Sequence, residues 1–327
     1  MVYFNPDEVL HKLSQRFKIR HCVLLLSIEA LGSLTRVAEA MSTSQPAITK
    51  TLAELEAMFG AELFDRSARG MAPTPLGRVA LSHARAMVND LDRLTRDMEA
   101  VAAGHTARLH AGIVPFISGQ ILSSAIQQAT QTGDQRLVMT LREADSHELL
   151  ALLRNHTLDL VVGRSAATLD IDGLDFEVLY TQQPRVISSR RLAAQLSRRP
   201  TDWQQLLGLD WILGTVHTPE REQVNTLFLE AGLTPPTPIV ESDSTKLTGE
   251  LIAANDQAIS IVPADVAEEL VRIAGVAIVP YSFSWTLPPI TLFTRKRDAR
   301  RPAYALLAKA LREAGRRFAG LRTRPGP

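Results

Sequence analysis

The sequence predicts an α+β multidomain chain, and three observations carry that prediction. Between Arg20 and Pro75 short helical stretches alternate with tight turns and end in two brief extended arms. From Thr74 to Ala103 nothing interrupts a helix except Gly77 in its first turn. After Gly104, strand-like and helix-like segments alternate to the end of the chain. A length of 327 residues suits two or three domains, since domains run to roughly 100–200 residues each.

The first segment is specified by its punctuation. Arg20 to Leu31 reads as an apolar helix, broken by Gly32, and Ser33 stands where it would cap a second helix, Leu34 to Ala40. After the polar turn 41–44 comes a third helix, with Ser44 as N-cap and Pro46 in the first turn, where a missing N–H costs nothing. Its apolar stripe is Ala47, Ile48, Leu52, Leu55, Met58 and Phe59, and Gly60 ends it. A helix, a short turn and a second helix with a polar outer face form the helix-turn-helix pattern. Residues 63–75 then read as a wing, two extended arms around a basic, Gly-containing tip.

Thr74-Pro75 starts the long helix, ~45 Å at 1.5 Å per residue. Its seam is Leu76, Ala80, His83, Met87, Leu91, Leu94, Met98 and Val101, at a period between those of a core helix and a coiled coil. A long helix with one apolar seam wants a partner, and dimerisation is the expectation.

Beyond it, candidate strands are 109–114, 137–142, 158–163, 176–180, 185–188, 211–213, 239–241, 258–262, 276–280 and 290–294. Helical stretches lie near 119–131, 146–155, 201–207, 219–231, 244–255, 264–273 and 302–318. Such alternation implies an α/β arrangement with mostly parallel sheets. One sheet or two lobes with a cleft fit equally well.

Composition excludes several classes. With 45% hydrophobic and 22% charged residues the chain is neither disordered nor collagen-like. Cys22 is the sole cysteine, so there is no internal disulfide and no multi-cysteine zinc site. The apolar run 22–28 stops at Glu29, far short of the ~20 residues that span a bilayer. Asp7 and Glu8 do not suit a signal-peptide leader, and the expected location is cytoplasmic. The net charge is +1, which favours no polyanion in bulk. Between Arg295 and Arg324, however, eleven basic residues face two acidic ones. That segment reads as a solvated face, or as one that brushes DNA or an acidic neighbouring subunit. Residues 1–86 carry ten basic and eight acidic side chains. DNA affinity would then lean on dimerisation and multiple sites, with a modest salt slope.

Four ordered runs carry a family resemblance. They are Gly32-Ser-Leu-Thr-Arg-Val-Ala-Glu-Ala-Met41 with Ser44-Gln-Pro-Ala-Ile-Thr-Lys-Thr-Leu-Ala-Glu-Leu-Glu56, then Gly60-Ala-Glu-Leu-Phe-Asp-Arg66, and Pro73-Thr-Pro-Leu-Gly77. The chain resembles the LysR-type transcriptional regulators, more weakly over nearly its whole length, as at 143–153, 158–164 and 258–263. The leader 16–21 and Lys50-Thr-Leu52 look like the branch that regulates sugar-uptake and aromatic-acid operons. The resemblance implies a winged helix-turn-helix over 1–73 and a dimerising linker helix over 74–104. It also implies an effector domain over 105–327, of two α/β lobes like a periplasmic binding protein. Lobe I is expected at about 107–163 and 286–320, and lobe II at about 164–285. Implied partners are promoter DNA, a small-molecule effector, copies of the chain up to a tetramer, and RNA polymerase. No cofactor, metal or membrane is implied.

On DNA, the third helix would enter the major groove, where donor and acceptor patterns distinguish all four base pairs. Gln45 offers a donor and an acceptor to adenine, or bonds a phosphate; Pro46 and Ala47 suit a thymine methyl. Thr49 is expected at bases, and Lys50 at bases or phosphate. Ser33, Thr35 and Arg36 would hold phosphate with help from a helix N-terminus. Arg66 and Arg69 flank the wing, with Arg69 placed for the minor groove or backbone. Taken singly, each reads first as an ordinary exposed helix residue; their joint occurrence in order is what carries the motif.

In the effector domain, ligands of two-lobed proteins sit at the carboxyl ends of strands beside helix N-termini. Four segments qualify: Pro115, Phe116, Ile117 and Ser118; Ser146; Thr215, His217 and Thr218; and Ser242 with Ser244. Arg164 or His217 would pair with a carboxylate. Each hydroxyl reads also as a plain helix cap, and Arg164 as a stabiliser of the lobe crossover. The expected effector is an organic or aromatic acid, or a sugar derivative.

An enzyme is disfavoured: there is no Gly-x-Ser-x-Gly, P-loop, Gly-x-Gly-x-x-Gly or His-Glu-x-x-His. Asp145 and His147 flank Ser146, but neighbours at a helix start point in different directions. The alternatives carried are a cytoplasmic solute-binding protein and an architectural DNA binder without effector.

Overall fold

Local signals build the N-terminal elements. The computed structural model describes residues 5–67, 70–105, 107–131, 137–165, 169–198, 202–216, 218–296, 298 and 302–321. It begins with a helix the apolar period does not announce, α1 (Pro6–Arg16), which buries none of its residues and is specified by its start. Asn5 accepts the N–H groups of Asp7 and Glu8, at 3.2 and 3.5 Å, and Pro6 opens the first turn. Then come α2 (Ile19–Leu31), α3 (Leu34–Ala40) and α4 (Gln45–Phe59), with Gly32 and Gly60 closing α2 and α4 in the left-handed conformation. The wing is an antiparallel pair, β1 (Phe64–Ser67) and β2 (Gly70–Pro73), followed by α5 (Pro75–Ala102). Cys22, Leu25, Ile28, Val37, Leu52 and Leu55 form the core that these elements share, joined by Leu81 and Ala84 from the start of α5.

The chain divides into two compact units, Met1–Glu99 with Arg154–Thr157, and Ala100–Leu153 with Leu158–Pro327. The second unit contains two five-stranded sheets. Its elements in order are β3 (Ala107–Ile113), α6 (Gly119–Gln131), β4 (Leu137–Glu143), α7 (Ser146–Arg154), β5 (Leu160–Arg164), β6 (Leu174–Gln182) and β7 (Pro184–Ser188). There follow α8 (Arg190–Leu196), α9 (Trp203–Leu206), β8 (Asp210–Leu213), α10 (Pro219–Glu230), β9 (Val240–Glu241), α11 (Thr245–Ala254) and β10 (Ala258–Pro263). The last are α12 (Ala264–Ile273), β11 (Ala277–Val279), β12 (Leu287–Arg295) and α13 (Pro302–Leu321). The first lobe's sheet runs β4-β3-β5-β12-β6 and the second's β11-β7-β10-β8-β9.

Two expectations change here. The sheets are mixed rather than mostly parallel: β12 is antiparallel to both β5 and β6, and β7 to both β10 and β11. Strands that arrive directly from the other lobe need no helical crossover, so they enter antiparallel. The lobe boundary also moves. Because β6 pairs with β12 from Leu174 to Gln182, the chain leaves the first sheet after Gln182, not at about residue 164.

The basic C-terminal segment is partly structural. Arg295 is buried, donating Nε to Asp298 at 2.7 Å and Nη1 to the carbonyls of Leu153 and Leu158 at 2.7 and 2.5 Å. Arg312 lies 3.2 Å from Glu177 on β6. Burial of an arginine head among carbonyls and a carboxylate fixes a strand end rather than a docking surface.

Candidate DNA-recognition helix and effector crevice

The third helix of the N-terminal unit, α4, is positioned by its own sequence. Ser44 caps it by accepting the N–H of Ala47 at 3.4 Å, and Ile48, Leu52, Leu55 and Met58 bury one stripe. The N-terminal end of the helix leaves Gln45, Pro46, Ala47 and Lys50 exposed, with Thr49 half-buried beside them. Nε2 of Gln45 donates to Oγ1 of Thr49 at 3.0 Å, one turn along. Lys50 lies 4.0 Å from Glu54. Thr35 and Arg36 are exposed in the first turn of α3, while Ser33 occupies the N-cap position without a side-chain capping bond. The predicted cap position is therefore right and the predicted bond is absent.

The wing is tied to this motif through backbone. The N–H of Met71 bonds the carbonyl of Gly32 at 3.0 Å. Gly70 has φ +112, and a Cβ there would lie 2.6 Å from that same carbonyl oxygen, so only glycine fits the approach. Arg66 is exposed on β1 opposite Met71. Arg69 lies outside the described residues. Sequence reading missed Glu56, whose Oε1 accepts the N–H groups of Leu63 and Phe64 at 2.9 and 3.4 Å and so fixes the wing's start to α4. An acid four residues before a helix-ending glycine gave no local sign of that reach.

In the second unit the segments around Phe116, Thr218 and Ser242 meet at Gly214, while Ser146 lies beside Gly163 and Arg164, and most of their polar groups are already engaged. Phe116, at φ +60, packs into the second lobe's core beside Ile187 and Ile212, whereas Ile117 joins the first lobe's core. Pro115 is half-buried between the strand end and these two. Ser118 is buried, its N–H donated to Asp265 at 3.3 Å. Ser146 accepts the N–H of Arg164 at 3.1 Å. Thr215 donates its N–H and hydroxyl to Asp243, at 3.0 and 2.7 Å. Thr218 caps α10 and Ser244 caps α11, while Ser242 accepts the N–H of Ser244 at 3.1 Å. His217 lies outside the described residues.

Segments distant in sequence converge at Gly214. A Cβ there would lie 3.1 Å from Oγ1 of Thr218, 3.4 Å from Asp243 and 3.8 Å from the Phe116 ring. Between the lobes runs a line of buried polar contacts. Nε of Arg164 stands 2.6 Å from Oε1 of Glu220, and Nη1 donates to the Pro288 carbonyl at 3.1 Å. Nε2 of Gln182 reaches both Asp265 oxygens at 2.7 and 2.8 Å. Burial raises the pKa of Asp265 above the ordinary carboxylate value, against hydrogen bonds from Gln182 and Ser118 and the charge of Arg164. Burial and then the Asp265 charge push the Tyr180 hydroxyl well up. Glu220, Gln182, Tyr180, Asp243 and Asp265 were not foreseen, because nothing local marks a side chain that faces another lobe. A hollow of about 780 Å³ opens elsewhere, lined by Leu169–Asp172, the start of β6 and Lys296, and none of the predicted effector residues lines it.

Among the described residues no helix is long and apolar enough to cross a membrane, and no group of three His, Cys, Asp or Glu residues is arranged to hold a metal.

The fold and these sites define a winged helix-turn-helix unit joined to a two-lobed α/β unit. Comparison with known proteins gives the same division. Residues 19–78 match the bacterial regulatory helix-turn-helix proteins of the lysR family, and residues 102–316 match the LysR substrate binding domain. The chain belongs to the LysR family and is a DNA-binding transcriptional regulator with an effector-binding domain. It is 31% identical over 307 residues to the transcriptional regulator PcaQ of Agrobacterium fabrum strain C58, covering 92% of this chain and 96% of that one. GbpR of Azospirillum brasilense is 25% identical over 303 residues, covering 92% and 88%. Among solved structures, full-length CbnR complexed with its target DNA superimposes with a TM-score of 0.61 at 20% identity, over 91% of this chain and all of that one. LysG from Corynebacterium glutamicum with bound effector Arg gives 0.59 at 20%, over 92% and 99%. GbpR and PcaQ are transcriptional regulators.

Proposed function

We propose that α4 reads operator DNA through Gln45, Pro46, Ala47, Thr49 and Lys50, with Ser33, Thr35 and Arg36 on the phosphates, and Arg66 and Arg69 flanking the wing, Arg69 at the minor groove or backbone. In this reading a small organic acid, aromatic acid or sugar derivative bound between the lobes controls that contact. The carrying observation is the capped helix itself: Gln45, Pro46, Ala47 and Lys50 stand exposed around its N-terminal end while the stripe Ile48, Leu52, Leu55 and Met58 is buried. Phosphate contacts set register and base contacts set sequence, so the two groups have separate roles. The unpartnered Nη2 of buried Arg164 supports an anionic group in the crevice. The apolar, exposed outer face of α5 supports self-association through that helix, as a dimer and, by pairing of dimers, a tetramer. RNA polymerase is the further partner of a promoter-bound regulator, and the cytoplasm is the compartment where both are met.

Footprinting of the purified protein on its own upstream region, with and without candidate acids and sugars, tests this. The expected result is protection over several helical turns that one compound shortens or shifts. Protection that no compound changes removes the effector, and no protection removes the DNA role. A second reading, a DNA binder without effector, draws on the carboxylates of the second lobe that already occupy the crevice beside Arg164 and the start of α6. Heat stability separates the two, because a ligand that binds the native state raises it by mass action.

A further inference from the structure

The first lobe offers two positions suited to a small anion, and both are filled by carboxylates of the second lobe. The first is the guanidinium of Arg164, which is 3% exposed. Glu220, in the first turn of α10, places one oxygen 2.6 Å from its Nε, while Nη2 keeps no partner. A carboxylate seated on an arginine edge ordinarily engages two N–H groups in parallel. Glu220, tethered to its helix, comes within ion-pair distance of Nε alone, and its Oε1 has no hydrogen-bond partner. The second position is the start of α6. There Asp265 and Glu269, one turn apart on α12, accept the N–H groups of Ser118 and Gly119 at 3.3 and 2.8 Å. Gln182, which holds Asp265 in place, leaves its own Oε1 unpartnered in a buried setting. Each cluster is thus closed across the lobes by a protein carboxylate and leaves buried polar atoms without a hydrogen bond: Nη2 of Arg164 and Oε1 of Glu220 in the first, Oε1 of Gln182 in the second.

We propose that Glu220, together with Asp265 and Glu269, is a built-in competitor for the effector, and that a small carboxylate binds by displacing these side chains from Arg164 and α6, which separates the lobes. This rests on the reading of the crevice as the effector site. Exchanging one carboxylate for another leaves Arg164 paired, so the buried guanidinium is never stranded. The displaced carboxylates must instead regain water, and an open crevice supplies it. The bound state is therefore the open one, favoured only by as much as the acid prefers it. A neutral polyol cannot replace a carboxylate on Arg164 and gains no such hold.

The test uses the full chain, its Glu220→Gln and Glu269→Gln variants, and benzoate and succinate as probes, with glycerol as neutral control at matched ionic strength. Calorimetric titration reads affinity, and small-angle scattering reads the radius of gyration. We expect Glu220→Gln to bind at least one acid about tenfold more tightly than the parent, since a neutral amide competes weakly for a guanidinium. The acid should also enlarge the parent protein. Equal acid affinities in all three proteins overturn the proposal, as does a radius that shrinks with acid. If Arg164→Met still abolishes that equal binding, the crevice survives as the effector site; acid binding untouched by Arg164→Met removes the crevice reading as well. Failure of every protein to bind either acid overturns the proposal, and a response to glycerol alone then assigns the crevice a neutral ligand. Should Glu220→Gln not fold, Glu269→Gln, whose carboxylate is only half-buried, carries the comparison.

Discussion

Oε1 of Glu56 lies 2.9 Å from the backbone nitrogen of Leu63, which couples the recognition helix to the wing through one side chain. The same oxygen takes the N–H of Phe64. Glu56→Ala leaves two half-buried N–H groups without that acceptor, and we predict a loss of about 1–3 kcal/mol in stability. DNA affinity should fall too, because the wing start is no longer held. Glu56→Gln keeps an acceptor oxygen and should recover most of both losses. Urea unfolding and operator titration of the two variants decide; equal behaviour of Ala and Gln would show that the bond is dispensable.

The Gln45 amide, exposed at the first position of α4, is held toward Thr49. Gln45→Ala should cost about 1–3 kcal/mol in specific DNA binding, the range for a bidentate base contact. Thr49→Val should weaken binding less. The double variant should cost less than the sum, since the two side chains form one unit. Unchanged affinity of Gln45→Ala for its own operator would sink the base-reading role.

Along α5 the seam predicted from periodicity is mostly open. Leu91 and Leu94 are 39% and 53% exposed, and Met98 and Val101 more so. Ala80 departs from it, packing with Leu81 and Ala84 into the N-terminal core. Leu91→Asp with Leu94→Asp should dissociate the dimer, because burying two carboxylates in an apolar interface costs far more than the contacts return. Light scattering reads the outcome, and a native mass in the double variant would refute the seam as an interface.

His21 makes stability depend on pH. Its Nδ1 accepts the N–H of Lys18 at 3.1 Å, which requires that nitrogen to be unprotonated. Burial, then the charges of Arg20 and Lys18, hold its pKa below the ordinary histidine value, against an opposing pull from Glu54. The unfolded chain binds more protons just below ~6.5, so this contribution is present above that pH and is lost as pH falls toward the depressed folded value. His21→Asn keeps an acceptor and removes the titration. Urea midpoints at about pH 5.5 and 7.5 should differ less in the variant than in the parent; the same difference in both would exclude His21 as the source.

Much of the N-terminal unit was legible because its signals are local. Ser44, Pro46 and Gly60 bracket α4 within one stretch of chain, and the buried stripe repeats at helical spacing. The same logic placed the strands of the second unit. It failed at α1, which has no fully buried residue and touches the N-terminal core only through the partly buried Leu13. It also failed at Ser33, where the position of a cap was right but its bond was not. Among the predicted effector residues, Thr218 and Ser244 proved to be helix caps, and Phe116 a core side chain of the opposite lobe.

The sequence by itself determined where helices start and stop, which face of each is apolar, and the family to which those ordered motifs belong. Caps, turn glycines and periodicity act over a few residues and leave their mark in the chain. Only the tertiary structure decided that β6 stays with the first sheet, that Arg164 meets Glu220, and that Ser118 gives its N–H to Asp265, 147 residues away. Strand pairing and buried ion pairs are chosen by which surfaces come together. Their energy depends on shared burial, and no single segment carries that information.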